Sequence, residues 1–128
     1  MTHHLPIRVY YEDTDMAGIV YYANYLRYIE RARSDWVREM GIDQLVMKAE
    51  GVVFAVRRVE ADYIQPAVFD DMLDVETLAT SITPARMVME QEVKRGDAVL
   101  FRAVVTIVCI AASGKPCRLP AKLRSIPV

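Results

Sequence analysis

Glu12, Asp13 and Asp15 crowd three carboxylates into one short turn, just ahead of a glycine, Gly18, and the longest helical pattern in the chain. A carboxylate held there faces the amino-terminal end of a helix, where unpaired backbone N–H groups and the positive end of the macrodipole gather. A base or nucleophile set against such donors is an apparatus for acyl transfer. Taken alone, an Asp-x-Asp turn is more often a turn stabiliser or cap. The surrounding residues must therefore decide between the two readings.

The elements that position this turn are legible from periodicity. A strand over Ile7–Tyr11 leads into Glu12-Asp13-Thr14-Asp15, and a helix is expected over Tyr22–Met40. At 1.5 Å per residue that helix would be about 28 Å long. Leu26, Ile29, Arg33, Trp36, Val37 and Met40 recur at three and four residues, an apolar stripe interrupted by one arginine. Gly41 follows as a C′ residue, and a shorter helical piece covers Asp43–Glu50. The period then becomes two. Ala55, Val59, Ala61 and Tyr63 share one face of a strand that closes at Gln65-Pro66. Leu73, Val75, Thr77 and Ala79 form the next, and Met87, Met89 and Val93 another, ending at the hairpin signal Arg95-Gly96-Asp97. Val99, Phe101, Ala103, Val105, Ile107 and Cys109 mark a central strand with its odd-numbered face on the core.

Four or five long strands and one long helix give an α+β arrangement, an antiparallel sheet wrapped around the helix. The 128 residues fit one domain, 1–128. Hydrophobic residues make up 53% of the chain and mean hydropathy is +0.12, so part of the surface is expected to be buried between subunits. Sixteen basic against 17 acidic residues leave a net charge of −1 and no footprint for nucleic acid. Cys109 and Cys117 make neither a metal spacing nor a disulfide framework, which points to a reducing cytoplasm. No apolar run approaches the ~20 residues of a bilayer span, and strand alternation begins too early for a signal peptide. His3 and His4 belong to no motif and are expected at a mobile end, without a role. Neither a Gly-rich phosphate loop nor a G-x-S-x-G is present.

The run RVYYEDTDMAGIVYYANYLRYIERAR, Arg8–Arg33, resembles the signature of the hotdog-fold thioesterases. The subgroup is that of 4-hydroxybenzoyl-CoA thioesterase and the Tol-Pal-associated acyl-CoA thioesterases. The resemblance continues through Val56-Arg57-Arg58, Tyr63, Pro66-Ala67, Asp70–Val75 and Lys115–Pro120. It implies a sheet of about five strands around one helix, and homo-oligomers, dimers or a homotetramer, with active sites at the subunit interface. It also implies acyl-CoA as substrate, hydrolysed to the free acid and coenzyme A with no metal or redox cofactor.

Carried over by position, the catalytic carboxylate falls on Asp15 and the carbonyl donor on the backbone N–H of Tyr22. Bottom-up, Asp15 also lies nearer than Asp13 to the glycine hinge and the helix start. Asp15 would either attack the carbonyl or activate a water to do so. Gly18, Val20, Asn24 and Tyr25 are assigned to the substrate-binding surface. Asn24 is equally an N-cap or a brace for the loop at Gly18. Tyr21, Tyr22, Tyr25 and Tyr28 could line an acyl pocket, although tyrosines on a half-buried helix are usually packing. Arg86, Lys115 and Arg118 are the candidates for the phosphates of coenzyme A, ahead of Arg57 and Arg58. Many Tol-Pal-type relatives carry histidine where this chain has Tyr22; a backbone donor survives that exchange, an imidazole acid does not. The alternative of a different class is a hotdog protein that binds acyl-CoA or acyl carrier protein without cleaving it. Hydratase chemistry on this fold calls for a histidine that the motif lacks.

Overall fold

A computed structural model describes residues 1–128. The main sheet is antiparallel. Its strands are β1 (His3–Arg8), β2 (Val52–Tyr63), β3 (Met72–Ile82), β4 (Met87–Arg95) and β5 (Ala98–Ala111), in the spatial order β1-β3-β4-β5-β2. A sixth short strand, β6 (Pro116–Cys117), pairs with β5. Three helices complete the chain: α1 (Asn24–Glu39), α2 (Gln44–Ala49) and α3 (Ala121–Arg124). This is the hotdog arrangement, one long helix held in a curved antiparallel sheet, with six strands rather than five.

The helix is shorter and turned relative to the stripe read from sequence. Its buried residues are Asn24, Tyr25, Tyr28, Ile29, Ala32, Trp36 and Val37, whereas Leu26 and Met40 are substantially exposed. Arg33 stays in the stripe because its charge is met. Its guanidinium donates to Gln91 Oε1 at 3.0 Å. Gln91, fully buried on β4, donates in turn to the Ile29 carbonyl and to Thr77 Oγ1, both at 2.9 Å. A buried amide is tolerable only when its groups are paired, and this one ties α1 to two strands at once.

Strand phase follows expectation in β3, β4 and, from Phe101 onward, β5; before it, a register shift at Val93/Lys94 leaves Val99 only partly buried and buries Leu100 instead. Leu73, Val75, Thr77, Ala79, Met87, Met89, Val93, Ala103, Val105, Ile107 and Cys109 are all buried. In β2 it does not. Phe54 pairs with Cys109 and Val56 with Ile107, while Val59, Ala61 and Tyr63 pair with Val105, Ala103 and Phe101. The register shift between Val56 and Arg58 inserts one residue and moves the core face from even to odd numbers, so Ala55 lies opposite to the face expected for it. β2 is an edge strand of the sheet, and Val56, Val59 and Tyr63, with Ile64 just past its end, are about half exposed along it.

The amino-terminal strand is also displaced. It runs over His3–Arg8, and Tyr11–Asp13 is a single 3₁₀ turn instead of strand. Asp13 makes that curl: its carboxylate accepts from the Tyr10 N–H at 2.8 Å while its own N–H donates to the Tyr10 carbonyl at 3.0 Å. His3 is no mobile end. It is buried, lies opposite Thr77 in the sheet, and its Nε2 sits 2.8 Å from Asp35 Oδ2.

Candidate active site

The acidic turn is built by its own backbone. The Asp15 N–H donates to the Ile19 carbonyl at 2.9 Å and the Gly18 N–H to the Asp15 carbonyl at 3.0 Å, closing a loop that Gly18 enters at φ +80°. Side chains with a Cβ rarely adopt that conformation, which is why a glycine stands there. Asp15 Oδ1 accepts from the Ala17 N–H at 2.9 Å, and Oδ2 has no partner within the chain. One oxygen fixes the carboxylate; the other is left free.

Asp13 works differently. Its carboxylate is committed to Tyr10, and its carbonyl accepts from the Tyr21 N–H at 2.9 Å and from Asn24 Nδ2 at 2.8 Å. This decides the Asn24 alternatives. Ala23 is the N-cap of α1, and Asn24, buried as the first helical residue, braces the acidic turn.

Tyr22 lies two residues before α1, in a turn closed by the Asn24 N–H on the Tyr21 carbonyl at 2.8 Å. A trans peptide points its N–H opposite to its carbonyl. Fixing the Tyr21 carbonyl toward Asn24 therefore aims the Tyr22 N–H the other way. Neither that N–H nor that of Ala23 has an acceptor in the chain. Asp15 and Tyr22 line one cavity of about 360 Å³, with Ile19, Val20, Tyr21, Tyr25 and the end of β2 from Tyr63 to Pro66. Asp15 and Tyr22 thus share an apolar-walled cleft, a composition suited to a carbonyl substrate.

The other assigned residues divide. Val20 is buried, and its N–H donates to the Ala67 carbonyl at 2.9 Å, so it joins the turn to the segment before β3. Tyr25 touches the cavity, but its role in the fold is clear. Its hydroxyl accepts from the Ala67 N–H at 3.0 Å, and its ring stacks on Phe101 at 5.0 Å. Burial raises its phenol above the usual range, keeping it neutral. Gly18 shapes the loop and is absent from the cavity lining. Tyr28 is core: burial first, then the Asp13 carboxylate, raise its phenol well above the ordinary value.

The loops that carry Arg86 and Lys115–Arg118 meet elsewhere, and of the three cations only Arg118 lines the space between them. The Leu119 N–H donates to the Pro84 carbonyl at 2.9 Å, joining the two loops around a cleft of about 290 Å³ lined by Pro84, Ala85, Pro116, Cys117 and Arg118. None of Arg86, Lys115 and Arg118 is ion-paired, although most of the other arginines and lysines on the sheet are. This cleft shares no residue with the one at Asp15. Sequence reading missed Tyr63, whose hydroxyl donates to the Tyr22 carbonyl at 2.9 Å; a strand-end tyrosine carries no local signal of such a contact.

Comparison with known proteins shows the family. The model of the thioesterase-like superfamily matches residues 9–126. The acyl-CoA thioester hydrolase YbgC of Escherichia coli is 39% identical over 120 residues, covering 92% of this chain and 90% of that protein. The acyl-CoA thioesterase YbgC of Haemophilus influenzae is 35% identical, covering 94% and 90%. Among solved structures, a probable thioesterase from Bartonella henselae superposes with a TM-score of 0.89 at 38% identity, covering 94% of this chain and all of that one. The chain belongs to the thioesterase-like superfamily and is a hotdog-fold thioesterase.

Proposed function

We propose that this protein hydrolyses the thioester of acyl-CoA to the free acid and coenzyme A, with Asp15 as base or nucleophile and the Tyr22 N–H as donor to the thioester carbonyl. The observation that carries the reading is that Asp15, with one carboxylate oxygen unpartnered in the chain, and Tyr22, with its N–H unpartnered, line one cleft. The carbonyl gains negative charge as the nucleophile adds, and a donor already in place stabilises it without reorganisation. Asp15 either adds to the carbonyl carbon, releasing the coenzyme A thiolate and leaving an anhydride for water to open, or takes a proton from the water that adds. The reaction in this form draws on no metal or redox cofactor.

Arg86, Lys115 and Arg118 would receive the phosphates of coenzyme A. Their distance in the fold from the Asp15 cleft, together with the open, apolar edge of β2, supports a homo-oligomer in which one subunit's cleft meets its partner's cations. The protein is proposed to act in the cytoplasm.

The test is release of free thiol from short, long and aromatic acyl-CoAs. Turnover of at least one is expected. Tight binding of an acyl-CoA with no thiol released from any would replace the hydrolase with a binding protein.

A further inference from the structure

Tyr22 is gripped from both sides. Ahead of it, the Tyr21 N–H is held by the Asp13 carbonyl and the Tyr21 carbonyl by the Asn24 N–H. Behind it, the only hydrogen bond to the Tyr22 carbonyl comes from the Tyr63 hydroxyl, at 2.9 Å and from 41 residues away. Tyr22 and Ala23 are the central residues of a four-residue turn, and the peptide between them is the one whose orientation separates type I from type II turns. Turned over, that peptide would swing the Tyr22 carbonyl to the side on which the free Ala23 N–H now stands, where an oxygen would oppose a developing oxyanion.

The tyrosine that prevents this is itself anchored. Tyr63 ends β2, and the next two N–H groups, of Ile64 and Gln65, both donate to the Leu100 carbonyl at 2.8 and 3.1 Å. Its ring meets Phe101 at 4.9 Å, Tyr25 at 5.6 Å and Tyr22 at 6.2 Å, each edge-on. Burial and the neighbouring phenols raise its pKa, so the hydroxyl remains a donor.

We propose that Tyr63 is a positioning residue for catalysis: its hydroxyl fixes the Tyr22–Ala23 peptide so that the Tyr22 carbonyl stays turned away from the oxyanion position, next to the Tyr22 N–H that the preceding peptide already orients. This rests on the reading of Asp15 and the Tyr22 N–H given above. A neutral hydrogen bond of ordinary strength predicts a modest, specific defect.

Tyr63→Phe keeps the ring and removes only the oxygen. Its kcat for an acyl-CoA should fall about five- to tenfold, with KM within about twofold and the melting temperature little changed. A purely structural tyrosine would lower the melting temperature and leave kcat alone. Asp15→Asn is assayed beside it. If Asp15→Asn loses turnover while Tyr63→Phe keeps the wild-type kcat or shifts KM only, the positioning role is overturned and the thioesterase reading stands. If Asp15→Asn keeps turnover, the site reading fails first and takes this inference with it.

Discussion

The two ends of α1 are finished in opposite ways. At the carboxyl end the carbonyls of Trp36, Val37 and Arg38 all find partners. The Gly41 N–H donates to the Arg38 carbonyl at 3.0 Å and the Ile42 N–H to the Val37 carbonyl at 3.2 Å, a Schellman closure made possible by Gly41 at φ +81°. Lys122 Nζ caps the Gly41 carbonyl at 2.8 Å, and Asp35 is taken up by His3. At the amino end the same density of backbone hydrogen bonds holds a turn that leaves two N–H groups and one carboxylate oxygen unmet. Rigidity is common to both ends; vacancy belongs to one. That vacancy, kept open by Asp13, Asn24 and Gly18, distinguishes a site from a well-capped helix.

Changing a carboxylate at each end should break the symmetry most sharply. Asp15→Asn should lower kcat by about 10³ or more with little loss of stability, since an oxyanion donor without its partner base does little chemistry. Asp35→Asn at the other end should leave kcat unchanged; steady-state thiol release reads both. Next in size is Trp36→Ala. It opens the core beneath the carboxyl-terminal half of the helix, where the residue is 3% exposed, and should cost about 3–5 kcal/mol in urea unfolding. At a temperature where the variant is folded, KM should hold.

Asn24→Ala sharpens the comparison from the amino end. It removes the side-chain hydrogen bond to the Asp13 carbonyl and should cost about 1–2 kcal/mol. Unlike Trp36→Ala, it should also lower kcat, because the brace and the site are one structure. The smallest effect belongs to the distant cations. Arg118→Gln should raise KM for acyl-CoA a fewfold without changing kcat, and the change should shrink in higher salt.

Much of this was legible in the residues. The acidic turn and Gly18, the glycine stop at Gly41, the Arg95-Gly96-Asp97 hairpin and the alternation from Ala103 to Cys109 are local patterns, and local chemistry enforces them. What escaped depends on contacts distant in sequence. A bulge near Arg57 reverses the face of β2 without altering its composition, so the alternation of that strand misleads on one side of it. Gln91 looks like a surface residue until Arg33, Thr77 and Ile29 surround it. His3 likewise becomes interior only because β1 pairs with β3. At the site, Asp15 was visible as a type in a motif, whereas Tyr63 became visible only when β2 brought it to the Tyr22 carbonyl.

The central claim is that the unmet groups ahead of α1 perform chemistry and do more than bind. It is tested most directly in a single turnover, with wild type and Asp15→Asn each in excess over one acyl-CoA that the wild type cleaves. Binding and thiol release are followed in the same mixture. The account predicts that Asp15→Asn binds the acyl-CoA and releases thiol at least about 10³-fold more slowly than wild type. Thiol release at the wild-type rate from that complex would contradict it.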